Sequence, residues 1–405
     1  MTARAPRWTW ALAVVVAVAG LAVVALRPTA PVVPDVEGAV AATTFAPEVL
    51  DRVAAWVGPI RTAFVPRTVL TLGLPLLLVA TPSGRRLVDR FAGDRLATLR
   101  GALVPQVVAA LAAVPFVWWL GWRHAGAFGF RTSGPARFAL ETAGAFALEI
   151  AVTTTSVLLL LWLVRRRPDD WPAVGALLGT VLTALLVLVQ PWVVNRVLYD
   201  PQPLDDPAVR AAVDPVVTRS TLPDTPLLVG GASVRTTRVN AFVSGFGPSQ
   251  QLVLWDTLLE LPPDRVAAVV GHEIAHAEHL DVPRAVLASG AGILAVLMVA
   301  QWVLRRRPDA PLTGGRAGAT AVVAVLLVEF AVAPVVAWES RRVEAAADAR
   351  ALVLVGDPAA QVELQRGFVI DDLADPDPPR WVELLSSHPT INDRIRRAVA
   401  FAEED

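Results

Sequence analysis

Seven times along the chain, long runs of apolar residues continue without the polar positions that a water-facing helix needs on its outer side. A helix that crosses a bilayer takes about 20 such residues. The runs predict spans at roughly 9–26, 62–80, 102–120, 138–164, 173–194, 285–304 and 317–338. The second is the least regular, because Pro66, Arg67 and Pro75 interrupt it. Trp8, Trp118, Trp119, Trp192, Trp302 and Trp338 fall at or near run ends, where aromatic belts form. The first run follows Arg4 and Arg7. It reads as an uncleaved helix, since it is long and no clean A-x-A site follows it.

Between the fifth and sixth spans the pattern changes to polar and mixed over 195–284. Its start, Pro201-Gln-Pro-Leu-Asp-Asp-Pro207, reads as a linker. Short strand-like runs follow at 227–229, 240–244 and 252–255, with Gly230-Gly231 and Gly245-Phe246-Gly247-Pro248 as turns. A helix is predicted to start near Pro263, with proline in its first turn, and to run to about Leu280. After Trp338 the tail starts as a helix. It breaks at Asp375-Pro-Asp-Pro-Pro379 and becomes helical again from about Thr390. Four regions result: five spans in 1–194, an insert at 195–284, two spans in 285–338 and a helical end at 339–405.

Composition agrees with a bilayer as solvent. Of the 405 residues, 54% are hydrophobic and 18% charged, against about 45–50% and about 25% in soluble proteins. The net charge of -1 gives no basic excess for a nucleic acid. Every one of the 36 basic residues is arginine. Schiff-base lysine chemistry and a Walker A loop are therefore excluded. Cysteine is absent, which removes disulfides, thiolate metal sites and a thiol nucleophile. A transition-metal site has only carboxylates and five histidines to draw on: His124, His272, His276, His279 and His388.

Three of those histidines lie close together, and two belong to Gly271-His272-Glu273-Ile274-Ala275-His276. On a helix, residues four apart share a face about 6 Å apart along the axis. Two imidazoles so placed can bind one Zn²⁺ at about 2.0–2.1 Å. Glu273 projects beside them and can take a proton from a water in the open position. A catalytic zinc needs a third protein ligand. The histidine that a metzincin carries ten residues after the first is here Val282, which excludes that class; the other usual choice is a downstream glutamate on a helix. Ser340-Arg-Arg-Val-Glu344-Ala-Ala-Ala-Asp348 offers one. Glu344 can bind the metal, and Asp348, four residues on, can accept the second N–H of a zinc-bound histidine. The plain alternative is a solvated face of Arg/Glu/Asp ion pairs. Two spans separate His276 from Glu344, and an even number of crossings returns the chain to the same membrane face. The fold expected is mainly α: a polytopic membrane protein with about seven transmembrane helices and a small α+β zinc-metalloprotease domain.

These motifs resemble the type I CAAX prenyl proteases and their bacterial heat-shock relatives, gluzincin-type integral-membrane zinc endopeptidases. The resemblance is carried by His272-Glu273-Ile-Ala-His276, Ser340–Asp348, Ser387-His388-Pro389 with Arg394 behind it, and Asn240-Ala-Phe242 followed by Leu254-Trp-Asp-Thr-Leu-Leu259. It covers about 229–397; the first 200 residues match only in hydropathy. It implies one zinc per chain, held by His272, His276 and Glu344. Glu273 is then the general base and later the proton donor, with Asp348 behind the ligands. His388 steadies the substrate or its oxyanion, and Asn240 lies on an edge strand where a peptide docks. Plainer roles are a turn residue for Asn240 and a helix N-terminal partner for His388. The partners implied are a peptide or membrane-protein substrate and the lipid bilayer.

The other histidines read as bystanders: His279 on the rim, His124 as an interfacial anchor. Glu141, Glu149 and Glu329, in or near spans, fit either a water-lined chamber or helix–helix hydrogen bonds. A multi-span transporter or receptor, or an inactive binding scaffold, are the competing functions. No internal repeat supports the transporter. A bacterial cell membrane is the expected location.

Two points point in opposite directions. Short loops opposite the zinc motif carry Arg4 and Arg7, Arg85, Arg86, Arg90, Arg95 and Arg100, Arg165–Arg167, and Arg305–Arg307 with Arg316. Loops on its own side carry fewer than half as many: Arg27, Arg52, Arg61, Arg123, Arg131 and Arg137. The positive-inside rule therefore puts the zinc site outside the cytoplasm, whereas the resemblance implies a cytosolic-facing site. The family name implies prenylated peptides, yet no motif here reads a prenyl group. Misfolded membrane proteins or small membrane-associated peptides are the alternative substrates.

Overall fold

The computed structural model describes residues 7–31, 38–91 and 96–404; Arg4 and Arg95 lie outside them. Among the described residues, seven helices are long and apolar enough to cross a membrane. They are α1 (Arg7–Ala25), α2 (Pro47–Ala80), α4 (Ala97–Phe116), α5 (Pro135–Arg166), α6 (Trp171–Val189), α9 (Asp281–Arg305) and α10 (Gly314–Val355). A short helix, α3 (Pro82–Arg90), turns the corner after α2, and a π-helical stretch, Val117–His124, extends α4. The irregular second span is a single 34-residue helix that contains Pro59, Pro66 and Pro75. Each proline removes one backbone N–H, but packing against α4 and α10 holds the helix through them.

Small residues set the closest crossings. A Cβ on Gly101 of α4 would collide with the Gly315 carbonyl oxygen of α10, and one on Gly318 with the Thr98 carbonyl oxygen. The two backbones touch there, as in other bilayer helix pairs that rely on van der Waals contact.

The polar insert folds into α7 (Pro207–Arg219), a four-stranded sheet and α8 (Pro263–Glu278). The strands are β1 (Gln202–Pro203), β2 (Leu227–Gly230), β3 (Ala241–Ser244) and β4 (Gln251–Trp255), in the order β1-β2-β4-β3. β2 and β4 run parallel; both outer pairs are antiparallel. Leu252, Val253 and Leu254 of β4 are fully buried. Leu252 and Leu254 pack with Val213 and Val216 of α7 and Val266, Val270 and Ile274 of α8. The expected linker is therefore structured. Gln202-Pro203 pairs with β2, and Asp206 caps α7 by accepting from the Ala208 and Val209 N–H groups. Pro207 sits in the first turn, so the Pro/Asp run is a helix-start signal.

The seventh span and the helix that follows it are one continuous element. α10 has 42 residues, about 63 Å at 1.5 Å per residue. Hydrocarbon accounts for about 30 Å, so its last turns project clear of the lipid. Two further helices, α11 (Pro358–Ile370) and α12 (Ile391–Glu404), pack on each other. Val369, Leu373 and Ile395 there form a core with Phe45, Val53 and Phe130, tying the chain end to α2 and the loop after α4.

Candidate metal centre

α8 carries His272 and His276 on the face it turns towards α10, with Glu273 beside them reaching β3. Gly271 permits the approach: a Cβ there would stand 2.5 Å from Val355 Cγ2. Buried Ala346 and Ala347 serve the same purpose on α10. Glu344 thereby reaches both rings. Its Oε2 lies 3.1 Å from His272 Nε2, and its Oε1 lies 3.6 Å from His276 Nε2. The two Nε2 atoms are 3.1 Å apart. Among the described residues, His272, His276 and Glu344 form the one cluster whose ligand atoms all fall within 4.8 Å of one another.

A metal fits this cluster. Two ligands about 2.0–2.1 Å from a tetrahedral zinc stand about 3.3 Å apart, close to the separations found. The donor set is two imidazole nitrogens and one carboxylate, with no thiolate. The local field is that of a cation site. Burial alone would lower the His276 pKa, but Asp281, Glu344 and Glu273 outweigh it and push it up to about 10. A field that holds a proton there also favours a divalent ion.

Outer partners orient both rings. Asp348, 2% exposed, brings Oδ1 to 3.0 Å from His272 Nδ1, somewhat off the line of an ideal hydrogen bond. Asp348 is held in turn by Arg394 of α12, which donates from Nε at 3.0 Å and from Nη2 at 2.7 Å. Arg397 Nη1 adds a contact at 3.4 Å. Asp281 was not singled out from the sequence, and it supports the other ring. Its Oδ2 lies 2.9 Å from His276 Nδ1. The turn between α8 and α9 makes this contact possible. Leu280 adopts a left-handed backbone, φ 53°, which is costly for a residue with a Cβ. Only five positions separate His276 from Asp281, so helix spacing gave no signal.

Glu273 is half-buried, and that burial pushes its pKa up. Its Oε2 accepts the backbone N–H of Val243 at 3.1 Å. In the β3–β4 register, Trp255 N–H donates to the Asn240 carbonyl, so alternation turns the Val243 N–H to the free edge. β3 is thus an edge strand alongside the metal cluster. Asn240 stands exposed at its start, its Oδ1 accepting from the Ala241 N–H.

His388 lies on the loop before α12. Its Nε2 is 3.2 Å from Glu344 Oε2, and 54% of its side chain is exposed. Burial of the remainder holds its pKa below the ordinary value. Arg341 of α10 anchors that loop by donating to the Glu383 and Ser386 carbonyls. A cavity of about 410 Å³ opens beside His388. The sequence-predicted residues His272, Glu273, His276, Glu344, Asp348 and His388 therefore meet at one place, with Asn240 at the start of the strand beside them. His279 is half-buried and outside the metal cluster. His124 stacks on Trp56 with ring centroids 4.8 Å apart and bonds the Trp56 carbonyl oxygen at 2.9 Å. Glu141 pairs with Arg137 and Arg235.

Comparisons with known proteins point to a metallopeptidase. The sequence model of peptidase family M48 matches residues 203–402. The chain is 26% identical over 313 residues to "Uncharacterized metalloprotease YhfN" of Bacillus subtilis (strain 168), covering 75% of this chain and 73% of that one. It is 33% identical over 181 residues to "Protease HtpX homolog" of Leptothrix cholodnii, covering 39% of this chain and 60% of the relative's length. In fold it is similar to the crystal structure of S. mikatae Ste24p, with a TM-score of 0.72 over 96% of this chain and 97% of that one, at 16% identity.

Proposed function

We propose that this chain, which the model of peptidase family M48 matches over residues 203–402, is an integral-membrane zinc-dependent endopeptidase acting on membrane-associated proteins or peptides. One observation carries the reading: His272, His276 and Glu344 converge while Glu273 lies between that cluster and the free edge of β3. His272, His276 and Glu344 hold the zinc. When bound, the zinc supplies polarisation of the scissile carbonyl and lowers the pKa of an attacking water from 15.7 towards about 7.

The chain's own residues do the rest. An extended substrate adds to β3 as a further strand, using backbone groups that face away from β4. Glu273, its pKa raised by burial, takes the proton from the water and delivers it to the leaving amine. His388 donates an N–H towards the carbonyl oxygen as negative charge develops there. Asp281 and Asp348 keep the two rings in the orientation that aims Nε2 inwards.

Detergent-purified protein with Glu273→Gln tests the assignment. Zinc content is expected to stay near one per chain while peptide cleavage falls by about 10²–10⁴-fold. His272→Ala is expected to lose both. Cleavage by Glu273→Gln at the normal rate refutes the base assignment.

A further inference from the structure

At the opposite end of the bundle lies a cavity of about 580 Å³, between the α2–α3 corner and the loop joining α9 to α10. Arg85, Arg306, Arg307 and Arg316 line it. Two of them have structural duties. Arg85 donates to the Val79 and Ala80 carbonyls that α2 leaves open, and Arg316 forms a two-armed pair with Asp89 of α3. The other two are exposed, and among the described residues neither forms an ion pair with a carboxylate. Arg306 instead stacks its guanidinium 3.7 Å above the Trp302 ring. Four arginines and one carboxylate, Asp309, thus line the cavity, and Arg316 pairs with Asp89 outside that lining.

The cavity is amphipathic. Its inner wall is apolar, built from Leu78, Val88 and Ala319, which are buried in one cluster. Leu78 belongs to α2 and Ala319 to α10, two helices that cross the bilayer. Trp302, 58% exposed on α9, marks the depth at which indole rings settle between lipid and water. Guanidinium groups above an apolar slot at that depth match a phosphate oxyanion carried on acyl chains.

We propose that this arginine-lined cavity binds the phosphate head group of an anionic phospholipid. The shared chemistry is a phosphate oxyanion, and the apolar wall favours a lipid as its source over free phosphate. The contact lies at the end of the bundle away from the metal cluster and does not depend on the catalytic reading.

The test uses the full chain in a non-ionic detergent, with native mass spectrometry counting bound lipid. Phosphatidylglycerol is expected to be retained at least about tenfold better than phosphatidylcholine, and inorganic phosphate at equal concentration is expected not to displace it. Arg306→Gln with Arg307→Gln should weaken phosphatidylglycerol retention by about tenfold or more, and Arg307→Gln alone by about fivefold. Arg210→Gln with Arg396→Gln, which removes the same charge from the metal-centre end, should leave retention unchanged. Thermal melting in phosphatidylcholine micelles checks that each variant is folded. Equal retention of the two lipids, or full retention by the folded Arg306/Arg307 variant, overturns the proposal. Displacement by inorganic phosphate assigns the cavity to a small anion and overturns the lipid.

Discussion

The metal centre and the arginine-lined cavity at the other end of the bundle handle charge in opposite ways. At the metal-centre end, charged groups are buried and each is held by the next: Arg394 to Asp348, Asp348 to His272, His272 to Glu344, and Asp281 to His276. At the other end, Arg306 and Arg307 stand exposed with no carboxylate partner among the described residues. Water explains the difference. A buried charge that loses its partner costs about 3–5 kcal/mol, so the metal-centre chain must be complete if the fold is to hold. Exposed arginines cost little alone and are free to answer to whatever surface lies beyond them. Chemistry needs the first arrangement, because ligands must stay aimed when solvent is excluded. A membrane face needs only the second.

The sharpest way to break this comparison is to ask which compartment each end faces. With all seven helices formed, the second span included, the arginine asymmetry keeps its direction. It predicts that a phosphatase fused after Asp405 is active outside the cytoplasm. The all-or-none opposite result, an active cytoplasmic reporter there, makes the arginine end the outer one and overturns the charge argument in favour of the orientation implied by the family resemblance.

A smaller effect is expected from Asp281→Asn. The amide keeps the size of the side chain but removes the negative charge that fixes the His276 ring. Loss of such an outer partner costs about 10–100-fold in metal affinity or activity. Zinc titration of the purified variant measures it. Unchanged affinity would mean that the left-handed turn at Leu280 positions His276 without help from the carboxylate.

The sequence revealed most where a periodicity or a short spacing is enforced by physics. Seven apolar runs became seven helices because lipid leaves the backbone no other partner. His272 and His276 share a face because four residues make about one helical turn. Glu344 and Asp348 follow the same rule on α10. What was hidden is what depends on a turn or on packing between distant elements. Asp281 reaches His276 only through Leu280, a residue type with no preference for a left-handed backbone. The Val243 N–H meets Glu273 only because β3 is the outermost strand, an order that the sequence alone does not specify. The Pro201–Pro207 run looked like a linker because proline and aspartate serve equally in loops and at helix starts.

The smallest predicted effect probes an exception at the metal-centre end. Asp372 is half-buried after α11, and among the described residues its carboxylate forms no salt bridge. Arg238 is near, but its guanidinium lies 4.2 Å from the Phe130 ring centroid and donates to the Asp372 backbone carbonyl instead. Burial raises the Asp372 pKa from 3.8 to about 6, with Arg238 only partly opposing it. Below about pH 4 the group is protonated in the folded and unfolded chains alike, so it makes no difference to stability. Between about pH 4 and pH 6 the unfolded chain ionises first, and the folded state loses ground; above that the penalty is complete. Asp372→Asn removes the penalty. It is expected to raise Tm modestly at pH 7 and hardly at all at pH 4. An equal shift at both values would trace the effect to packing. A lower Tm at pH 7 would mean that the charge is better paired than its surroundings indicate, and that this end of the molecule tolerates no unpaired group at all.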